Sequence, residues 1–292
     1  MARAACGQVI VSHRADSNPY PFVWNLIPLL ASLADPLLGV LGKFLTIFWH
    51  PRLPRSADSI RRRRRGLALV VGGVEGPSIY NFWLGMGLLR GGYRGAVVRF
   101  HWNAGIFGIR SLVNLMSRGH LERQSDLLAR TIVEHVRAHP DSPVCLLAQS
   151  GGCYVVLRAI EKLPEGVSVR SALLLAPSVS PGYDLTAAAR KCCSGLVSIG
   201  GPGDVIFLGL ATLLFGTSDR VFSPSAGLVG WHSHPPGFVE SRWHPSWIRY
   251  GYWGNHISTS SPRFIAKLIA PMIRGDRVLQ RALRSGATRD HK

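Results

Sequence analysis

From residue 66 onward, short apolar runs alternate with amphipathic segments, and this constrains the fold more than any other feature of the chain. The runs 67–71, 96–100, 143–147, 171–176 and 195–199 are about five residues each and bounded by Gly, Pro or Ser. Runs this short and this uniformly apolar read as strands buried on both faces. Between them lie segments with helical spacing, at 78–89, 121–139, 152–163 and 184–193. In 121–139, Leu121, Leu127, Leu128, Ile132, Val133 and Val136 fall on or near one face. Trp247–Tyr250 reads as a weaker sixth strand, and 262–274 as a closing helix despite Pro271. Strands joined by helical crossovers predict an α/β fold with a mostly parallel sheet flanked by helices. Such a sheet carries its active groups on loops at the carboxyl ends of the strands.

Residues 1–65 have a different texture and read as a separate N-terminal segment, with 66–292 as the α/β domain. The stretch 22–49 is long and apolar, but Asp35-Pro36 and Lys43 interrupt it. A membrane span needs about 20 mostly apolar residues, and Asp-Pro at its centre would kink it at high cost. Two short helices fit better, lying at a membrane interface with Trp24 and Trp49 as anchors or packing on the protein's own core. A basic block follows, with Arg52, Arg55 and Arg61 to Arg65, which suits an anionic membrane surface. Positive flanks are retained on the cytoplasmic side, so the expected location is cytoplasmic, peripheral on the inner membrane face.

The formal net charge of +18 invites a nucleic-acid reading. The charge is spread along the chain, however, and no zinc-finger, leucine-zipper or aromatic RNA-binding pattern accompanies it, so no nucleic-acid partner is expected. The five cysteines include no Cys-x-x-Cys pair, which removes zinc and thioredoxin-type readings. Cys145 and Cys153 read as buried thiols.

The third strand runs directly into Ala148-Gln149-Ser150-Gly151-Gly152, and a helix begins at once. Small residues stand two before and two after the serine. A serine on a sharp strand-to-helix turn needs that spacing, because larger side chains would clash across the turn. The helix N-terminus then directs free N–H groups to where negative charge develops in acyl transfer. A hydroxyl also needs a base, and the base an orienting acid. The fifth strand leads into Gly200-Gly201-Pro202-Gly203-Asp204, a carboxylate at a strand end. Asp184, a candidate N-cap, and Asp219, a candidate partner of Arg220, are its rivals. His256 follows Tyr252-Trp253-Gly254-Asn255 in the loop before the closing helix. His232, His234 and His244 are the runners-up for the base.

With Ser150, Asp204 and His256 in that order, and Gly72-Gly73-Val74-Glu75-Gly76 after the first strand, the chain resembles the α/β-hydrolase superfamily over about residues 66–274. The resemblance implies a Ser-His-Asp triad acting through an acyl-enzyme. It also implies an oxyanion hole from the N–H groups of Val74 and Gly151, and no metal or organic cofactor. The two earliest strands of the family sheet have no counterpart, so a reduced sheet is expected. Gly72 stands where many members have His, and Glu75 brings a negative charge close to the site. Pocket candidates are Glu75, Gln149, His101, Trp231 and Trp253. The long segment 226–253 carries Trp231, Trp243, Trp247 and Trp253; it either roofs an apolar pocket or forms a small core of its own. The expected activity is hydrolysis of hydrophobic or lipid-like carboxylic esters. The alternative is a hydrolase-fold binding or membrane-attached module without catalysis.

Overall fold

The computed structural model describes residues 22–48, 51–103 and 116–275. Six strands form one sheet: β1 (Leu67–Val71), β2 (Ala96–Phe100), β3 (Val144–Gln149), β4 (Ser171–Leu175), β5 (Leu196–Gly200) and β6 (Phe238–Arg242). Their spatial order is β2-β1-β3-β4-β5-β6 and every pairing is parallel. The carboxyl ends of all six strands therefore share one edge of the sheet.

The core has two halves, one on each face. Successive residues of a strand point to opposite faces. In β1, Leu67, Leu69 and Val71 join one apolar cluster, while Ala68 and Val70 join the other. Helices α4 (Arg118–Ala138) and α5 (Gly152–Glu161) cover the first face, with Leu121, Leu128, Ile132, Val156 and Ile160 fully buried. Helix α3 (Ile79–Arg90) and the closing helical segment 262–274 cover the second, through Leu84, Leu88, Phe264, Ile265 and Ile269. Pro271 is accommodated because the segment changes to a π-helical turn at Ile265–Ile269 before Ala270–Arg274 continues.

The sixth strand is not where the sequence pattern places it. Pro245–Tyr250 is a 3-10 helix, started by Pro245 and capped by His244, whose side chain accepts from the Ser246 amide at 3.1 Å. The strand is Phe238–Arg242, just after the turn at Gly237. Segment 226–253 therefore contributes a sheet strand and core. Trp231, Trp243 and Trp247 are all buried. Trp247 packs against Tyr252 and Phe264 with ring centroids 5.8 and 5.5 Å apart.

Helices α1 (Phe22–Leu33) and α2 (Asp35–Phe48) are joined by a single residue and bent by 45°. Among the described residues no single helix is long and apolar enough to cross a membrane, although this bent pair would be by length and composition. Trp49 and the side chain of Trp24 lie outside the described residues. The pair lies against α3: the Tyr80 hydroxyl donates to the Leu38 carbonyl, and the Ile79 amide donates to Thr46 Oγ1 at 3.0 Å. The basic block that follows in sequence lies elsewhere. Arg62 donates to the carbonyls of Tyr93 and Gly95, just before β2, and the Ser142 hydroxyl, just before β3, donates to the Arg63 carbonyl at 2.5 Å. The block thus borders the amino ends of the strands. Arg63 also pairs with Asp58 at 2.6 Å.

Replacing Trp247 by Ala should remove about 3–5 kcal/mol of unfolding free energy, as expected for a large aromatic in a packed core. Urea denaturation measures it; a loss below about 1 kcal/mol would mean these rings are not core.

Candidate functional site

Ser150 follows β3 with φ +53°, in the left-handed region that costs a non-glycine residue about 1–3 kcal/mol. Backbone bonds hold it there: its amide donates to the Leu175 carbonyl at 3.0 Å, and its carbonyl accepts from Cys153 and Ser178 at 3.0 and 3.3 Å. The small residue two positions on has a direct cause. A Cβ at Gly152 would lie 2.3 Å from the Gly72 carbonyl oxygen and 2.6 Å from that of Val71, so α5 can start only where β1 ends if residue 152 is glycine.

The loop after β1 passes beside the serine; a Cβ at Gly73 would lie 3.2 Å from Ser150 Cβ. Side chains outside the loop hold its carbonyls. Trp102 Nε1 donates to Gly72 and Asn103 Nδ2 to Val74, each at 2.7 Å, while Asn81 Nδ2 donates to Gly76 at 2.5 Å. With the Val74 carbonyl bonded to Asn103, the two expected oxyanion donors belong to this fixed loop and to the start of α5, where Gly151 is the N-cap. The first amides of a helix have no intrahelical acceptor and suit an anion. Glu75 stays beside the loop that carries it. Its Oε1 accepts from the Ser78 hydroxyl at 3.1 Å, and its carboxylate lies over Gly73.

Asp204 and His256 meet. His256 Nδ1 lies 2.5 Å from Asp204 Oδ2, with both residues buried. The other carboxylate oxygen of Asp204 accepts from the Leu208 amide at 3.2 Å. Their two loops interlock: a Cβ at Gly201 would lie 2.3 Å from the Gly254 carbonyl oxygen, and the Gly203 amide donates to that carbonyl at 3.2 Å. Gln149, next to Ser150, ties the serine turn to the histidine loop, donating to Thr259 Oγ1 at 2.8 Å and to the His256 carbonyl at 3.4 Å. The Phe207 ring stacks obliquely on His256, with centroids 5.1 Å apart.

The other candidates have other surroundings; His232 is exposed, and its amide donates to the Pro181 carbonyl at 2.9 Å. Asp184 is exposed and accepts from the Thr186 amide at 2.8 Å. Asp219 does not pair with Arg220; it accepts from the Ser180 amide and hydroxyl. His234 pairs with Glu240, and His244 caps its own 3-10 helix. Of the pocket candidates, Trp231 belongs to the core and donates to Ser198 Oγ at 2.9 Å. His101 is exposed at the edge strand β2. Gln149 is an anchor, as described. Trp253 lines a cavity of about 430 Å³ with Leu38, Trp83 and Ile257.

Sequence reasoning missed Asp35. Treated as a helix break, it is fully buried and points at the histidine loop. Its carboxylate accepts from Asn255 Nδ2 at 2.6 Å, from the His256 amide at 2.9 Å and from the Ile257 amide at 3.2 Å. The one available signal was energetic: a carboxylate inside so apolar a stretch needs a partner. Asn81, Trp102 and Asn103 were missed because nothing local marks a residue that bonds to a distant loop.

Charge decides the titration of His256. Burial alone would push its pKa down; the carboxylates of Asp204, Asp35 and Glu75 outweigh burial and hold it up at about 8. Burial pushes the Asp35 carboxyl up to about 6; the nearby His256 opposes the rise and Asp204 adds to it.

Comparison with protein-family models and with curated proteins yields no match. Among solved structures the chain is similar to Aspergillus fumigatus lipase B, at 12% identity and a TM-score of 0.46. The match covers 76% of this chain and 55% of the lipase chain, about half of its length. A likeness at that level transfers no residue roles.

His256 should titrate near pH 8, followed by NMR of its ring Cε1–H. Removing one of the acidic charges that hold the proton, with Glu75→Gln, should move the midpoint to lower pH. A midpoint that stays put would mean the Glu75 charge does not reach the ring.

Proposed function

We propose that this protein is a serine hydrolase of α/β-hydrolase type that cleaves carboxylic esters with a hydrophobic acyl or alcohol part. The observation that carries the reading is the buried Asp204–His256 hydrogen bond, joined through Gln149 to the left-handed turn at Ser150. In the proposed reaction, Ser150 Oγ attacks the ester carbonyl carbon while His256 Nε2 takes its proton. Negative charge gathers on the carbonyl oxygen, facing the amides of Gly151 and Val74. Collapse expels the alcohol, which receives the proton from His256. Water then repeats the sequence on the acyl-enzyme and releases the acid. Asp204 fixes the ring tautomer and balances the imidazolium.

Apolar surface beside the site suits a hydrophobic substrate. Leu30, Leu37 and Phe48 of α1 and α2 are more than 60% exposed. The apolar helix Ile206–Phe215, which follows Asp204, exposes Leu210, Leu213, Leu214 and Phe215. Both elements touch the site: a Cβ at Gly203 or Gly254 would run into Pro28 of α1, and the Phe207 ring lies against that of His256. Exposed apolar surface of this extent suits a lipid boundary. A cytoplasmic, peripheral location accords with the retained positive charge of Arg61 to Arg65. With the basic block at the other edge of the sheet, the proposed contact is apolar and does not require anionic headgroups.

Fluorophosphonate labelling and a p-nitrophenyl ester series of rising chain length test the chemistry. Ser150→Ala should abolish labelling and cut turnover by more than about 10³-fold, and Asp204→Asn should lower kcat by about 10⁴-fold. Labelling that survives Ser150→Ala would identify another nucleophile. A folded wild type that neither labels nor turns over would leave a binding module as the better reading. The lipid contact is tested by flotation with zwitterionic vesicles: the wild type should float, and the Leu30→Glu, Leu37→Glu double variant should not. Equal flotation of the two would remove α1 and α2 from the contact.

A further inference from the structure

The surroundings of His256 contain a second acid that the Ser-His-Asp chemistry does not use. Asp35 lies some two hundred residues away in sequence, at the start of α2, and has no exposed surface. Its three hydrogen bonds all go to consecutive residues of one short loop, Asn255, His256 and Ile257. Two of the three donors are backbone amides, so the carboxylate fixes the path of the main chain from which the imidazole projects. Asn255 is fixed further: its Nδ2 also contacts the Ala31 carbonyl at 3.3 Å, and its Oδ1 accepts from the Ser258 hydroxyl. On the other side of the ring, Asp204 holds Nδ1. The imidazole is thus held from two directions, by its ring through β5 and by its backbone through α2.

Burying a carboxylate without a Lys or Arg is expensive. Asp35 makes no ion pair with either among the described residues, and helix stability does not explain it, because a surface Asp would serve an N-terminus equally well. Its position is explained if the carboxylate orients the histidine loop. Building on the hydrolase reading, we propose that Asp35 is the positioning residue for His256, making the bent pair of α1 and α2 a working part of the site. Misplacement of a catalytic group by about 1 Å costs on the order of 10²-fold in rate. The charge of Asp35 also acts on the ring, together with those of Asp204 from the β5 loop and Glu75 from the β1 loop. The phenols of Tyr80 on α3 and Tyr252 ahead of the loop lie near enough to sense Asp35.

The test uses the full chain, with Asp35→Asn and Asp35→Glu compared with wild type after circular dichroism confirms folding. Asp35→Asn puts an amide N–H among three donors and removes the charge. It should lower kcat by about 10- to 100-fold with KM within about twofold, and shift the His256 titration to lower pH. Asp35→Glu keeps the charge but displaces the oxygens; it should lower kcat less and leave the titration midpoint near that of wild type. This milder variant carries the test if Asp35→Asn does not fold. Wild-type kcat in a folded Asp35→Asn protein overturns the proposal, as does wild-type kcat in Asp35→Glu when the asparagine variant is unfolded. If wild type itself hydrolyses no ester, the hydrolase reading falls separately. The NMR titration then decides for Asp35: an unmoved midpoint in Asp35→Asn, with loop amide resonances unmoved in both variants, dismisses its hold on His256.

Discussion

The imidazole of His256 is the charge around which the site is balanced. Asp35 and Asp204 are both buried and neither pairs with Lys or Arg among the described residues, while Glu75 adds a third negative charge nearby. Buried carboxylates of this kind persist only when hydrogen-bonded and matched by a counter-charge. Here the hydrogen bonds come from loop amides, Asn255 and the ring itself, and the counter-charge is the imidazolium. The same arrangement raises the affinity of the ring for its proton.

The parallel sheet makes this convergence possible. Because all six strands run one way, the ends of β1, β3 and β5 and the loop beyond β6 meet at one edge. Backbone proximity there is close enough that Gly152 and Gly201 have no room for a side chain. These contacts bring the turn at Ser150 and the loops of Asp204 and His256 to the same edge of the sheet.

Much of this was legible in the sequence. Five strands were readable as short apolar runs, since a strand buried on both faces leaves an unmistakable signature. The sixth was not, because Phe238–Arg242 is an edge strand with mixed exposure and the more apolar Trp247–Tyr250 outcompetes it. Ser150 was marked by local spacing, and Asp204 and His256 by their places beyond strands. Trp231 was ambiguous, because an indole that lines a pocket and one that fills a core have the same local pattern. Asp35 was beyond reach for a different reason. Its function is defined by three donors more than two hundred residues distant, and local sequence shows only a polar interruption between two greasy helices.

The separation of α1 and α2 from the arginine block has a mechanical consequence. Residues 22–48 lie at the carboxyl edge of the sheet, and residues 60–65 at the amino edge, although only a short link joins them in sequence. The body therefore has a dry end and a wet, cationic end, with the strands as the axis between them. If the proposed lipid contact forms, such a body has one preferred attitude at the oil–water boundary. It would lose its freedom to tumble before it lost its freedom to drift, with Ser150 turned to the oil and the guanidinium groups left hydrated behind it.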